Sequence, residues 1–195
     1  MWYSQTPVEL REVILRDKPR ELITASAKAT VPVLILPDGR VIDQSYDIMK
    51  WALARGDPDG WLDIDRVAGD ALIDCNDFEF KPNLDQYKYP GRFPQQSAET
   101  GRDLGMVFLR RLEELGKERS CLFGERLSIV DVAVAPFVRQ FAHVDTTWFE
   151  SAASPALHGW LERFEQSELF LSVMQRYPRW SPGDDMTVFA AGSAP

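Results

Sequence analysis

TVPVLILPDGRVIDQS, residues 30–45, is the stretch from which the rest of the chain is read. Val31 to Leu36 is a short β-branched and leucine-rich run, the pattern of a strand buried on both faces. Pro37-Asp38-Gly39-Arg40 follows, with a fixed φ at the proline and a permissive one at the glycine, as a tight turn requires. Val41 and Ile42 read as a short returning strand. Asp43, Gln44 and Ser45 end it with polar groups, and Tyr46 to Leu53 has helical spacing. The local order is therefore strand, turn, strand, helix.

Pro32 removes a ladder donor, so it belongs at the start of its strand rather than the middle. X-Pro is also the context in which a cis peptide is cheap. A cis bond at Val31-Pro32 turns the Val31 backbone N–H and C=O outward, towards a ligand. Gln44 and Ser45 fall at the N-terminus of the next helix, where free N–H groups and the helix dipole favour a carboxylate. One extended, peptide-like ligand can bridge the two points.

The 195 residues are 45% hydrophobic with 6 Trp and 11 Phe, enough for a substantial core. No apolar run reaches bilayer length and no signal peptide is evident, so a soluble, cytoplasmic protein is expected. Cys75 and Cys121 lie outside any CxxC or Cys/His ligand pattern and read as reduced structural thiols. His143 and His158 are isolated, so no metal site is expected. The net charge of −8 argues against nucleic acid and anionic membranes as partners. Residues 1–55 carry 8 Lys and Arg against 7 Asp and Glu, and the remainder 14 against 23, so an anionic ligand meets the least repulsion in the first third.

Met1 to Ser4 reads as a frayed end, and Val8 to Leu15 as a strand. Pro19 to Ala27 is a short helix with proline at its first position. Gly56 to Gly60 (GDPDG) is turn chemistry without an apolar anchor, so the domains are expected at 1–56 and 61–195. After Trp61 the pattern is helical. Ile64 to Phe80 and Ser97 to Lys117 are long helices, the second with Leu104, Val107, Phe108, Leu112 and Leu115 as its inner face. Lys81 to Gln96 reads as a long loop between them. Ser128 and Asp131 have capping-box spacing ahead of a very apolar helix, Ile129 to Phe141, and are read as structural. Pro155 to Phe164 and Ser167 to Gln175 close the helical part, and Tyr177 onwards reads as an irregular tail with a frayed Gly/Ser/Ala/Pro ending.

Val31-Pro32-Val33-Leu34 followed by Asp43-Gln44-Ser45 resembles the glutathione-binding half of a glutathione S-transferase, and the bacterial omega-like branch fits best. The resemblance implies a thioredoxin-like α/β N-terminal domain followed by an all-helical domain. It implies that Val31 and Pro32 hold the cysteinyl backbone of glutathione and that Gln44 and Ser45 hold its γ-glutamyl end. Lys18 matches the omega-like lysine that reaches the glycyl carboxylate. Gln44 stands where the family more often has Glu, keeping the hydrogen bonding without the charge. A homodimer is implied too, with the second substrate bound between the helices at 64–80 and 97–117.

Met1-Trp2-Tyr3-Ser4 aligns with the far end of the family's first helix, so the first strand and the thiol-activating residue have no counterpart. The N-terminal domain is expected to be incomplete: either its two sheet edges meet directly, or hydrophobic surface on Val13, Val33 and Leu34 is left uncovered, an exposed edge that invites pairing with another chain. Tyr3, Ser4 and Cys75 are weak substitutes, and the catalytic residue is unknown. The expected function is conjugation of glutathione to a small electrophile, or its use in reducing a disulfide. The alternative is a non-catalytic binding or scaffold protein on the same fold.

Overall fold

The computed structural model describes residues 1–191, so the expected frayed ending lies largely outside the described residues. The chain divides into two compact units. One is Met1–Asp59 together with the chain from Glu168 on, and the other is Gly60–Ser167.

In the first unit, strand β1 (Val8–Glu9) is followed by helix α1 (Arg20–Ala25), strands β2 (Leu34–Ile35) and β3 (Val41–Ile42), and helix α2 (Ser45–Leu53). β2 and β3 form an antiparallel hairpin, with Leu34 opposite Ile42 and Ile35 opposite Val41. Its loop closes through Gly39 N–H donating to Leu36 O at 2.9 Å and Leu36 N–H donating to Arg40 O at 2.8 Å. Gly39 takes φ +84°, the left-handed position that follows a type I turn in a three-residue hairpin loop. The strand is shorter than the run 31–36 suggests and is not buried on both faces, because Ile35 is 55% exposed while Leu36 is buried. Successive side chains point to opposite faces, so one face here is covered and the other is open to solvent.

Other expectations for this unit change as well. Val8–Glu9 is all of the 8–15 run that is strand, and it pairs antiparallel with strand β4 (Val188–Phe189). The tail that reads as irregular is therefore tied down. Leu10 N–H donates to Thr187 O at 2.8 Å, Trp180 N–H to Glu12 O at 2.9 Å, and Arg179 pairs with Asp17 at 2.6 Å. The Arg11 guanidinium lies 4.7 Å from the centre of the Trp180 ring. This chain's own C-terminal segment thus covers one edge of β1, while among the described residues β2 pairs with β3 alone. Met1 to Ser4 is not frayed either: Gln5 and Thr6 N–H groups donate to Trp2 O and Met1 O, and Ser4 is buried.

The second unit is helical, with α3 (Arg66–Cys75), α4 (Lys81–Lys88), α5 (Ala98–Gly116), α6 (Ile129–Ala142), α7 (Thr146–Ala152) and α8 (Pro155–Glu165); α9 (Glu168–Val173) belongs to the first unit. Side-chain caps start most of these helices: Asp65 for α3, Ser97 for α5, Ser128 for α6, Asp145 for α7 and Ser154 for α8.

The expected loop from Lys81 is helix as far as Lys88. A π turn at Asn76–Phe80 joins α3 to α4 directly before Pro82. A proline in a regular helix clashes with the carbonyl four residues back and removes a donor, and the wider π turn accommodates both. Phe80, Leu84 and Tyr87 then bury into an aromatic core, with Phe80 stacked on Phe108 at 4.7 Å and Tyr87 against Phe141 at 5.0 Å.

The inner face of α5 also differs from the apolar reading. Leu104 and Val107 are exposed, whereas Gly101, Gly105, Phe108, Leu109 and Leu112 are buried. α5 lies so close to α4 that a Cβ on Gly101 would sit 2.7 Å from Asn83 O. Backbone proximity, not hydropathy, selects the stripe. α6 packs against α3, α4 and α8 with Val130, Val134, Ala135, Val138 and Phe141 fully buried.

Candidate functional site

The β2–β3 register sets the site's geometry. Since Leu34 opposes Ile42, the residues before β2 and those after β3 lie at the same end of the hairpin. Val31 and Pro32 therefore share that end with Gln44 and Ser45. The Val31–Pro32 bond is cis, and Val31 is 44% exposed.

Gln44 is the residue before α2, with extended backbone and no side-chain hydrogen bond to the first turn, and Ser45 is the first helical residue. Both are exposed. Unlike the capped helices of the second unit, α2 has first-turn amides without a side-chain acceptor and with a positive dipole end, an arrangement that accepts a carboxylate.

Asp43 fixes this end of the hairpin. Its carboxylate accepts from the Ser26 hydroxyl at 2.8 Å and from the Lys28 ammonium at 3.1 Å. These donors, Ser26 first, hold Asp43 below the usual carboxylate range. The link persists at neutral pH and is lost as acid protonates the group. Sequence reading does not single out Ser26 or Lys28, because they lie 17 and 15 residues from Asp43 and no local motif joins them.

Lys18 is in the loop before α1, whereas Ser26, which donates to Asp43, follows that helix. Lys18 is half-buried and makes no ion pair or hydrogen bond among the described residues, while its neighbour Asp17 is taken by Arg179.

The weak substitutes for a thiol activator are engaged in hydrogen bonds of their own. The Tyr3 hydroxyl donates to Asp59 at 3.1 Å and accepts from the Asp59 backbone N–H at 3.0 Å. Burial, with Asp59 and Asp57 adding to it, pushes its phenol up, so Tyr3 stays neutral. Ser4 Oγ donates within its own turn, to Met1 O or Thr6 Oγ1. Cys75 Sγ accepts from Arg111 at 3.0 Å. Cys121 is buried, and that burial, reinforced by Asp131, pushes its thiol up to about 11, which keeps it protonated and inert at neutral pH.

Ser128 and Asp131 form a reciprocal cap. The Asp131 N–H donates to Ser128 Oγ at 3.3 Å, and the Ser128 N–H donates to the Asp131 carboxylate at 2.9 Å. The same carboxylate accepts from Leu122 N–H and from the Trp160 indole, both at 2.8 Å.

Among the described residues, no helix is long and apolar enough to cross a membrane. Residues 1–55 match the glutathione S-transferase N-terminal domain family and residues 96–163 the glutathione S-transferase C-terminal domain family. No curated protein matches the chain in sequence.

Several solved structures share the fold. A glutathione S-transferase from Rhodospirillum rubrum F11 is 18% identical with a TM-score of 0.66, over 86% of this chain and 80% of that one. BphK, a bacterial transferase of this kind solved as a ternary complex, is 18% identical with a TM-score of 0.69, over 83% of each chain. A possible glutathione S-transferase from Rhodopseudomonas palustris is 20% identical with a TM-score of 0.65, over 84% of this chain and 75% of that one. With both domains matched in order on one chain and the fold shared with solved transferases, this protein belongs to the glutathione S-transferase family.

Proposed function

We propose that the protein binds glutathione at the open end of the β2–β3 hairpin, as the co-substrate of an omega-like transferase or thiol reductase in the cytoplasm. The observation that carries this reading is the uncapped, exposed N-terminus of α2 beside Val31. Gln44 and Ser45 would receive the γ-glutamyl end, Val31 and Pro32 the cysteinyl backbone, and Lys18 the glycyl carboxylate. α1, six residues and about 9 Å long, separates Lys18 from the Ser26–Asp43 link, a span comparable to an extended tripeptide of about 10 Å. The reaction would join the thiol to a small electrophile or use it to reduce a disulfide.

Calorimetry with glutathione tests the site. Saturable heat is expected, and Gln44→Ala and Ser45→Ala should each weaken binding about tenfold, the effect of losing a hydrogen bond to a charged group. Absence of heat from the unaltered chain would sink the proposal. Glutathione supplied with a generic electrophile, or with a small disulfide, then separates an enzyme from the second reading, a non-catalytic binder. The engaged hydroxyls of Tyr3 and Ser4 favour that second reading, and turnover in either assay would reject it.

Homodimerisation is part of the proposal. Val67 and Phe78, eleven residues apart, are 81% and 77% exposed, and Leu104 and Val107 on α5 are exposed as well. Apolar side chains this open on one unit suit burial against a second copy. Sedimentation should give a dimer for the unaltered chain and a monomer for Phe78→Glu. An unaltered chain that sediments as a monomer rejects it.

A further inference from the structure

Apart from the hairpin site, the first unit contains a cavity of about 230 Å³ that the proposed chemistry does not use. Trp2, Tyr177 and Phe189 contribute aromatic surface to its walls, and Glu168, Ser172 and Gln175 contribute polar groups. Tyr177 and Phe189 meet edge to face, with ring centres 6.2 Å apart. Their mutual contact orients two of the three rings. The covering of β1 by β4 brings Phe189 to the cavity, and the hydrogen-bonded turn at Met1–Gln5 anchors the segment that carries Trp2.

Glu168, Ser172 and Gln175 make no side-chain hydrogen bond or ion pair among the described residues, although the charged side chains elsewhere in this unit include several that pair closely, such as Arg11 with Glu9 and Arg179 with Asp17. No Lys or Arg lines the cavity. A carboxylate without a cation, in a cavity that aromatic side chains also line, repels anions and attracts a positive charge. The unit that holds the cavity, residues 1–59 and 168–195, carries 10 Lys and Arg against 12 Asp and Glu, so no excess of positive charge opposes a cation there.

We infer that this cavity binds a small organic cation, an ammonium or quaternary ammonium group on a short polar tail. The cationic head packs against Trp2, Tyr177 and Phe189 and pairs with Glu168. Ser172 and Gln175 take the hydrogen bonds of the tail. The site is separate from the glutathione site and does not depend on it, since glutathione's carboxylates would be repelled here.

Calorimetry of the full chain with choline chloride tests the inference, with 3,3-dimethylbutan-1-ol as the uncharged isostere. Choline is expected to bind with a Kd of about 1 mM, and the neutral alcohol to give no saturable heat. Glu168→Gln, an isosteric change at an exposed position, should weaken choline at least tenfold while leaving the circular dichroism spectrum and glutathione binding unchanged. Trp2→Phe, which keeps a ring of weaker quadrupole, should weaken choline about threefold. Choline giving no heat up to about 50 mM overturns the inference. So does equal binding of choline and the alcohol, or choline binding that is indifferent to Glu168→Gln.

Discussion

Asp131→Ala is expected to unfold the helical unit at ordinary temperatures. Asp131 is 0% exposed, and its two oxygens accept from four donors: Ser128 N–H, Ser128 Oγ, Leu122 N–H and the Trp160 indole. Alanine would leave three N–H groups buried without an acceptor, since Ser128, Leu122 and Trp160 are themselves buried. Each orphaned donor costs about 1–3 kcal/mol, while the bond from the residue-131 backbone N–H to Ser128 Oγ is kept.

The total, about 5 kcal/mol, is comparable to the entire stability of a marginal domain. Asp131→Asn should cost about half as much, because its amide oxygen still serves one pair of donors while its NH2 faces the other. Urea unfolding followed by circular dichroism measures both. A midpoint for Asp131→Ala within about 1 kcal/mol of the unaltered chain would mean that water replaces the carboxylate and that the buried network does not hold the unit together.

Gly101→Ala should destabilise the same unit by about 2 kcal/mol, although alanine is the better helix former by about 1 kcal/mol. The new methyl would lie 2.7 Å from Asn83 O, 2.9 Å from Tyr87 N and 3.0 Å from Gln86 Cβ, and two of these are backbone atoms of α4 that move only if the helix moves. Gly116, at the end of the same helix, has nothing within 4 Å of its missing Cβ. Gly116→Ala should therefore stabilise by about 0.5 kcal/mol through helix propensity alone. Opposite shifts in melting temperature, roughly 5 °C down and roughly 1 °C up, are the expected result. If both substitutions stabilise, α4 and α5 are not in backbone contact.

The proposed glutathione site is legible in the sequence to the extent that it is local. Val31, Pro32, Gln44 and Ser45 fall within fifteen consecutive residues, and one turn with its glycine brings them to one end of a hairpin. Lys18 came only from a resemblance, and the Ser26–Asp43–Lys28 link from neither, because a contact made across a helix and a hairpin has no spacing rule. The cation cavity is further from view still. Its walls come from residue 2 and from residues 168–190, which meet only once the chain has folded.

By itself the sequence determined the elements whose signals are contained within a few residues. These are the turn at Pro37–Arg40, the start of α5 at Ser97 and the Ser128/Asp131 box before an apolar run. Hydrogen bonds between near neighbours depend on local identity, so they can be read in order. Tertiary structure alone decided that a π turn carries the helix past Pro82, that glycines rather than Leu104 and Val107 face the core from α5, and that Val188–Phe189 pairs with Val8–Glu9. In each case the deciding quantity is the distance of closest approach between segments distant in the chain or the fit of one helix against another, and no single segment encodes it.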